Sequence, residues 1–215
     1  MESNAFAEFW RQLPPGGKIH PADRPILDAE KHSLKFQKLP AFGAGPLATA
    51  PVVLCYLNNR PLYKLPACDR EFIKNQEEKL KATWGEYLAG IIEGTSEPRP
   101  HTEFGKKRTK GLEPEAAIFN IVPYRSSEFK GRTKQLAYYL PSARMARNYL
   151  HDVLLPAAAR GERFIVIVWG RVLWGVHPAL SHATLSVDTK PNMSGLLSED
   201  LNDRIKAWWA NTPFY

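Results

Sequence analysis

Three unbroken apolar runs divide the chain, and each of them ends in polar residues. They span residues 51–57, 116–122 and 164–169, and a weaker run lies at 183–187. Runs of this length that are rich in β-branched residues, with no polar alternation, are typical of strands buried on both faces of a sheet. We therefore predict four strands, and the segments between them are long enough to connect parallel neighbours.

Helical periodicity and capping signals fill the intervals between these strands. The spacing of apolar residues predicts an amphipathic helix over 4–12 and a longer helix over 69–92. Another helix is predicted over 142–161, and Pro156 should kink it or end it early. Ser198, followed by two acidic residues, predicts the start of a final helix, because a hydroxyl cap and early carboxylates satisfy its exposed amides and its dipole.

The alternation of strands and helices predicts an α/β fold. Specifically, we expect a three-layer α/β/α sandwich around a central four-stranded parallel sheet. Residues 13–50 are rich in proline and glycine and lack strong periodicity. We therefore interpret residues 1–50 as an irregular N-terminal wrap with a short helix, and residues 51–215 as the α/β domain, the two together forming one structural domain.

Polar residues follow each strong strand at its carboxyl end. Asn58, Asn59 and Arg60 follow the first, Asn120 lies near the end of the second, and Gly170-Arg171 follows the third. Ligands of open α/β sheets bind just beyond the carboxyl ends of the strands, which makes these residues candidates for chemistry. Asn120 stands out because its amide both donates and accepts, and can therefore match the edge of a nucleobase or satisfy a neighbouring loop.

Composition narrows the classes of partner. The net charge is +7, and lysine and arginine concentrate in a predicted loop at 94–114 and in a segment at 125–147. Such clusters favour nucleic acid, although a solvated charged face is the commoner outcome. The chain has two cysteines and no zinc-ligand spacing, and it shows neither a signal peptide nor an apolar run of membrane-spanning length. We therefore expect a cytoplasmic protein with no membrane partner, no metal and no organic cofactor.

Taken in order, these strand ends resemble the uracil-DNA glycosylase superfamily. The segment 56–60 stands for the first motif, Ile118-Phe119-Asn120 for the second, and the run ending in Trp169-Gly170 for the third, which matches closely. The segment 190–195 matches the fourth motif only loosely. The stretch 116–126 also resembles a bacterial glycosylase-like branch with an Asn-x-x-Pro-Tyr-x-Ser run. The resemblance covers roughly residues 40–210, and it implies the same α/β/α sandwich.

The resemblance implies a monofunctional DNA N-glycosylase that flips a pyrimidine from double-stranded DNA and leaves an abasic site. Asn58 would be the catalytic residue, holding a water beneath the sugar, and Asn120 would bond the base. Further base contacts would come from an aromatic stacking residue and from the fourth motif; the candidates are Phe72, Tyr63 and Asn192. The remaining implied DNA contacts are Lys106, Lys107, Arg108, Arg125, Ser126, Arg171, Lys190, Met193, Ser194 and Leu196, of which Met193 or Leu196 would enter the gap left by the base.

The first and fourth motifs depart from the family pattern. Asn59 and Arg60 replace its Pro-Gly, and the fourth motif has Asn192 where the family has histidine. An arginine offers five N–H donors, so our hypothesis is that Arg60 reaches a polar substituent on a modified pyrimidine. The superfamily includes anti-phage enzymes that act on glucosylated hydroxymethylcytosine. Arg60 gripping a phosphate, or an altered motif in an inactive enzyme, are the alternatives.

Other function classes remain open at this stage. The chain could excise uracil or mismatched thymine, or it could be a DNA-binding module that kept the fold without the chemistry. It could also hydrolyse nucleosides or nucleotides with the same strand ends. No obligatory protein partner is evident from the sequence.

Overall fold

The fold is built on a mixed β-sheet that packs against helices. The computed structural model describes residues 4–29, 34–36, 38–58, 65–98, 100–101, 103–109, 112, 116–126, 131–187 and 196–212. The strands are β1 (Leu34–Lys35), β2 (Gly43–Ala44), β3 (Val52–Asn58), β4 (Ala116–Val122), β5 (Arg125–Ser126), β6 (Phe164–Ile167) and β7 (Leu185–Val187). The helices are α1 (Ala5–Arg11), α2 (Arg24–Ala29), α3 (Ala67–Leu80), α4 (Trp84–Glu93), α5 (Glu103–Thr109), α6 (Gly131–Tyr139), α7 (Pro141–Tyr149), α8 (Leu155–Ala159), α9 (Arg171–Trp174) and α10 (Glu199–Ala210).

The main sheet has the strand order β2-β4-β3-β6-β7. Strands β4, β3, β6 and β7 run parallel, and β2 pairs antiparallel with β4 at one edge. The predicted α/β class is therefore confirmed. The predicted sheet of four strands, all parallel, is not confirmed, because the main sheet of the described residues has five strands and the fifth, β2, comes from the segment predicted to be irregular. The sequence pattern that would predict β2 is weak, because this strand has only two residues and one of them is glycine.

Two hydrophobic clusters lie on opposite faces of the sheet, as the alternation of side chains along a strand requires. One cluster joins Val53, Cys55, Ala117 and Phe119 to the apolar sides of α1, α4 and α7. The other joins Val52, Leu54, Tyr56 and Ile118 to Leu201 and Ile205 of α10. The long run in β3 is apolar throughout because both of its faces are buried.

Several helices differ from the sequence predictions. The predicted helix over 69–92 is two helices, because a 3₁₀ turn at Lys81–Thr83 separates α3 from α4. Beyond this turn Trp84 is buried and its Nε1 donates to the carbonyl of Pro40 at 2.7 Å. The predicted helix over 142–161 accommodates Pro156 through a π-helical segment at Leu150–Leu154, in which the N–H of Leu155 bonds the carbonyl of Leu150. The predicted loop at 94–114 contains α5.

A buried polar network ties the N-terminal segment to the end of β4. The hydroxyl of Tyr124 donates to Asp23 Oδ2 at 2.6 Å and accepts the N–H of His20 at 3.1 Å. The other Asp23 oxygen, Oδ1, accepts the N–H of Ser142 at 2.9 Å. Ser142 lies in the first turn of α7, whose early amides have no partner within the helix. Asp23 therefore caps α7 from a distant part of the chain.

We expect Asp23→Ala to destabilise the fold strongly. The change leaves two buried donors, the Tyr124 hydroxyl and the Ser142 amide, without their acceptor, at about 1–3 kcal/mol each. Urea unfolding should show a loss of about 2–6 kcal/mol. Asp28→Ala is the matched control, because Asp28 is an exposed carboxylate on α2, and it should change the free energy of unfolding by less than about 0.5 kcal/mol. Equal effects of the two variants would contradict the network's role.

The same network predicts a pH dependence of stability. Burial lowers the pKa of His20, although the Phe9 carbonyl and the Asp23 carboxylate oppose the shift. In the neutral ring Nε2 donates to the Phe9 carbonyl at 2.7 Å and Nδ1 accepts from the Ala22 amide at 3.2 Å. The unfolded chain therefore binds the His20 proton first as the pH falls, so the stability contributed is complete above pH of about 6.5 and declines below it. Urea midpoints between pH 5 and pH 8 measure this, and a His20→Gln variant should show a flatter profile across that window.

Candidate functional site

The parallel pairing of β3 with β4 places two predicted site residues on one face of the sheet. Tyr56 lies opposite Asn120 in the register, and Asn58 lies opposite Val122. Along β3, Asn58 shares its face with Val52, Leu54 and Tyr56; along β4, Asn120 shares its face with Ala116 and Ile118. Asn58 and Asn120, the amide pair, are therefore diagonal neighbours at the carboxyl edge of the sheet, on the face that α10 covers further along.

Both amides are recessed from solvent. Asn120 is only 1% exposed, its Oδ1 is buried, and its backbone N–H donates to the Phe42 carbonyl at 2.6 Å. Asn58 is half-buried, and its Nδ2 is buried without a hydrogen bond to any residue that the structure describes. An amide donor held in this way costs about 1–3 kcal/mol, a cost that folded proteins rarely keep without a ligand or a water to satisfy the group. The edge of the sheet thus presents an unsatisfied donor beside a buried acceptor.

A cation contacts the tyrosine that pairs with Asn120 in the sheet. The guanidinium carbon of Arg108 is 4.2 Å from the centroid of the Tyr56 ring, and Tyr56 is the register partner of Asn120. The contact is a cation–π interaction, and Tyr56 is only 2% exposed. Helix α5 brings Arg108 to this position, so the predicted loop at 94–114 supplies a fixed charge to the site. The sequence offered the basic residue but no signal for its contact with Tyr56.

The two lysines of α5 differ from Arg108 in their surroundings. Lys106 and Lys107 are exposed, and Lys106 pairs with Glu103 at 2.6 Å on the surface. An exposed pair of this kind adds at most about 1 kcal/mol to stability, so Lys106 can exchange Glu103 for another anion at little cost. Both lysines are therefore accessible to a polyanion, as the predicted DNA contacts require.

The backbone conformation after β6 explains why glycine follows Trp169. The amides of Val168 and Trp169 both bond the Cys55 carbonyl, at 3.0 and 3.3 Å, which continues β6 alongside β3. Gly170 has φ of 77°, and a β-carbon there would collide with the side chain of Leu57. Trp169 packs against the same hydrophobic cluster as Tyr56, and its Nε1 has no hydrogen-bond partner among the described residues. Arg171, the predicted DNA contact, begins α9 and is half-buried.

Two predicted DNA contacts lie away from the surface. Arg125 and Ser126 are 9% and 5% exposed, and they form β5, which pairs antiparallel with Lys35 and Leu34 of β1. Side chains this buried leave little surface for a phosphate in this arrangement, and their roles as DNA contacts stay predictions. Their segment instead anchors the N-terminal part of the chain, together with Tyr124. The sequence showed only the basic residue and the apparent motif, and the pairing strand β1 was missed.

The remaining predicted site residues fall into two groups. Phe72 lies on α3 and is 36% exposed, and Leu196 is half-buried ahead of α10. Their roles as stacking and DNA-wedging residues stay predictions. The others lie outside the described residues; they are Asn59, Arg60, Tyr63, Lys190, Asn192, Met193 and Ser194.

The described residues contain no group of three or more metal-ligating side chains. No helix in the described part of the chain is both long and apolar enough to cross a lipid bilayer. Comparison with protein-family models, curated proteins and solved structures found no match to this chain. The resemblance of the motifs to the glycosylase superfamily therefore remains a prediction.

The contact between Gly170 and Leu57 gives a test of how tightly the site is built. Gly170→Ala must adopt a positive φ, at about 1–2 kcal/mol, and must also displace Leu57. Gly161→Ala is the matched control, because Gly161 has φ of 78° and nothing lies within 4 Å of an added β-carbon. We expect Gly170→Ala to lower the free energy of unfolding by more than Gly161→Ala does, as measured in urea. Equal losses would show that Leu57 moves aside without cost.

Proposed function

We propose that this protein is a monofunctional DNA N-glycosylase, which flips a pyrimidine out of double-stranded DNA and hydrolyses its bond to deoxyribose. The observation that supports this most directly is the amide pair, which lies on one face at the carboxyl edge of parallel strands with the Arg108 cation beside it. The proposal includes the three-layer α/β/α arrangement, in which helices cover both faces of the sheet and leave this edge for the ligand.

In this proposal the two amides have different roles. Asn120 presents both donors and an acceptor, so it can bond the Watson–Crick edge of an everted pyrimidine. Asn58 holds a water beneath the sugar carbon through its carboxamide. An amide is too weak a base to ionise water, so the reaction depends on departure of the base, which leaves an oxocarbenium-like sugar that the positioned water then captures.

Departure of the base develops negative charge on the pyrimidine, and that charge needs a donor or a cation. Arg108 is the described residue suited to this role, because its guanidinium lies over Tyr56, next to Asn120. A fixed charge in a recessed site stabilises such an anion more strongly than the same charge in water. Arg108 would thus act where the family pattern uses the histidine that this chain lacks in its fourth motif.

The proposed substrate is a pyrimidine with a polar substituent at C5, such as glucosylated hydroxymethylcytosine of phage DNA, and the proposed role is antiviral defence in the cytoplasm. Arg60 and Asn59 follow Asn58 directly in sequence, which is why they are assigned to selectivity. A uracil or mismatch glycosylase is the alternative substrate class. A DNA-binding module without chemistry is favoured by one feature, that the amide pair itself contains no general base.

The decisive experiment incubates the protein with duplexes that contain uracil, mispaired thymine, hydroxymethylcytosine or its glucosylated form. Abasic sites are cleaved with alkali and resolved on a gel. We expect cleavage of the glucosylated duplex, and we expect Asn58→Ala to lower the rate about 10²–10³-fold, since it loses the group that positions the water. No abasic product from any duplex would overturn the enzymatic proposal in favour of the binding module.

Stability separates loss of function from loss of fold in this experiment. Because the Asn58 Nδ2 is buried and unsatisfied by the described residues, Asn58→Ala should keep or raise the melting temperature while activity falls. Asn148→Ala is the matched control, because Asn148 is an exposed amide on α7, and it should leave both activity and melting temperature unchanged. A large drop in the melting temperature of Asn58→Ala would instead make Asn58 a structural residue.

A further inference from the structure

A patch of exposed aromatic and aliphatic side chains lies where α6 and α9 meet. Tyr138 is 42% exposed, Tyr139 is 70% exposed and Val172 is 63% exposed, unusual values for such large apolar groups. Lys134 is one helical turn before Tyr138 on α6 and is also exposed. We call the following set the Tyr138 surface: Lys134, Tyr138, Tyr139, Arg144, Arg171 and Val172.

One guanidinium holds the parts of this surface together. Arg147 on α7 donates through Nη1 to the carbonyls of Ala137 and Leu173, at 3.0 and 3.5 Å, and through Nη2 to the carbonyl of Tyr138 at 3.0 Å. These carbonyls belong to the last turns of α6 and α9, which attract a cation. The exposed residues of the two helices are therefore neighbours in space, and they rest on a fixed support.

The segment that contributes α6 and α7 to the Tyr138 surface carries charge of one sign. Residues 129–151 contain five lysines and arginines and no aspartate or glutamate. Burial and the nearby Arg144 charge lower the pKa of Arg147, which places the two guanidiniums close together. Two positive charges this close together favour a polyanion over an ordinary protein partner. Exposed aromatic rings among such charges are typical of nucleic-acid surfaces.

The Tyr138 surface also lies at the edge of the sheet that carries the amide pair. Helix α9 starts four residues after β6 ends at its carboxyl end, and α6 follows the carboxyl end of β4. Leu136, Ala137 and Leu173 pack in the hydrophobic cluster opposite the one that contains Tyr56. The surface and the amide pair therefore flank the same edge from its two sides, an arrangement that suits an extended ligand running across it.

We propose that the Tyr138 surface binds the backbone of double-stranded DNA beside the nucleotide that enters the site. Arg144 and Lys134 contact phosphates, and the rings of Tyr138 and Tyr139 pack against the sugars and the exposed base edges. This inference rests on the proposed function for the position of the everted nucleotide, but the DNA contact itself can be measured without any excision.

Fluorescence anisotropy with an unmodified labelled duplex, over a series of salt concentrations, tests the inference. Arg144→Gln should weaken binding and reduce the slope of log affinity against log salt by about 0.9, the value for one lost phosphate contact. The matched control is Arg160→Gln, because Arg160 is an exposed arginine that precedes β6, at the opposite edge of the sheet. The control should leave the salt slope unchanged.

Tyr139→Ser tests the aromatic part of the surface and should weaken duplex binding, because the ring that packs against the sugars is lost. The side chain is exposed, so the variant should keep the melting temperature of the parent protein. A single strand of the same sequence serves as a second ligand, and a larger loss of affinity on that strand than on the duplex would overturn the assignment to double-stranded DNA.

Three further outcomes would overturn the inference. They are salt slopes that fall equally for Arg144→Gln and Arg160→Gln, duplex affinities that neither Arg144→Gln nor Tyr139→Ser changes, and a Tyr139→Ser variant that loses self-association while it binds DNA normally. Binding that depends on this surface in a protein that excises no base would sustain the inference and defeat the proposed function. Base excision by the parent protein, combined with Arg144→Gln and Tyr139→Ser variants that bind the duplex as the parent does, would sustain the proposed function and overturn the inference.

Discussion

The register of β3 against β4 is the constraint on which the site depends. Tyr56 pairs with Asn120, and Asn58 lies two residues after Tyr56 on β3, so its side chain is on the same face of the sheet as Asn120. A shift of one residue would turn one of the two amides into the opposite hydrophobic cluster, because side chains alternate along a strand. The register is well specified, since every residue of β4 is buried and both faces of the sheet are packed. Packing that stabilises the core therefore also aligns the polar groups at its edge.

The N-terminal segment, although far away in the sequence, contacts the residues that follow the carboxyl end of β4. Asp23 joins Tyr124, just beyond β4, to the first turn of α7, and β1 pairs with the adjoining β5. A fully buried carboxylate that accepts two hydrogen bonds is well satisfied, and either donor alone would leave it less so. The carboxyl end of β4 is thereby fixed on both sides, which keeps the recessed amide of Asn120 in place.

The sequence was most informative where burial decides structure. The apolar runs of β3, β4 and β6 predicted strands, and Ser198 caps α10 as its hydroxyl indicated. It was least informative where a partner far along the chain decides the outcome: β1 and β2 are two-residue strands that exist only through their pairing. The same holds at the site. The position of Asn58 and Asn120 at strand ends was readable from local pattern, whereas the contact of Arg108 with Tyr56 needed the packing of α5.

The short strand β2 has a consequence for how the chain is made. It pairs with the outer side of β4, a strand of seven buried residues that would otherwise be an unpaired, apolar edge strand. Unpaired apolar edge strands can pair with strands of other chains and so lead to aggregation. Because synthesis proceeds from the amino terminus, residues 41–44 have left the ribosome before β4 emerges. The strand that covers this edge of β4 is therefore synthesised before β4 itself, which protects β4 against aggregation.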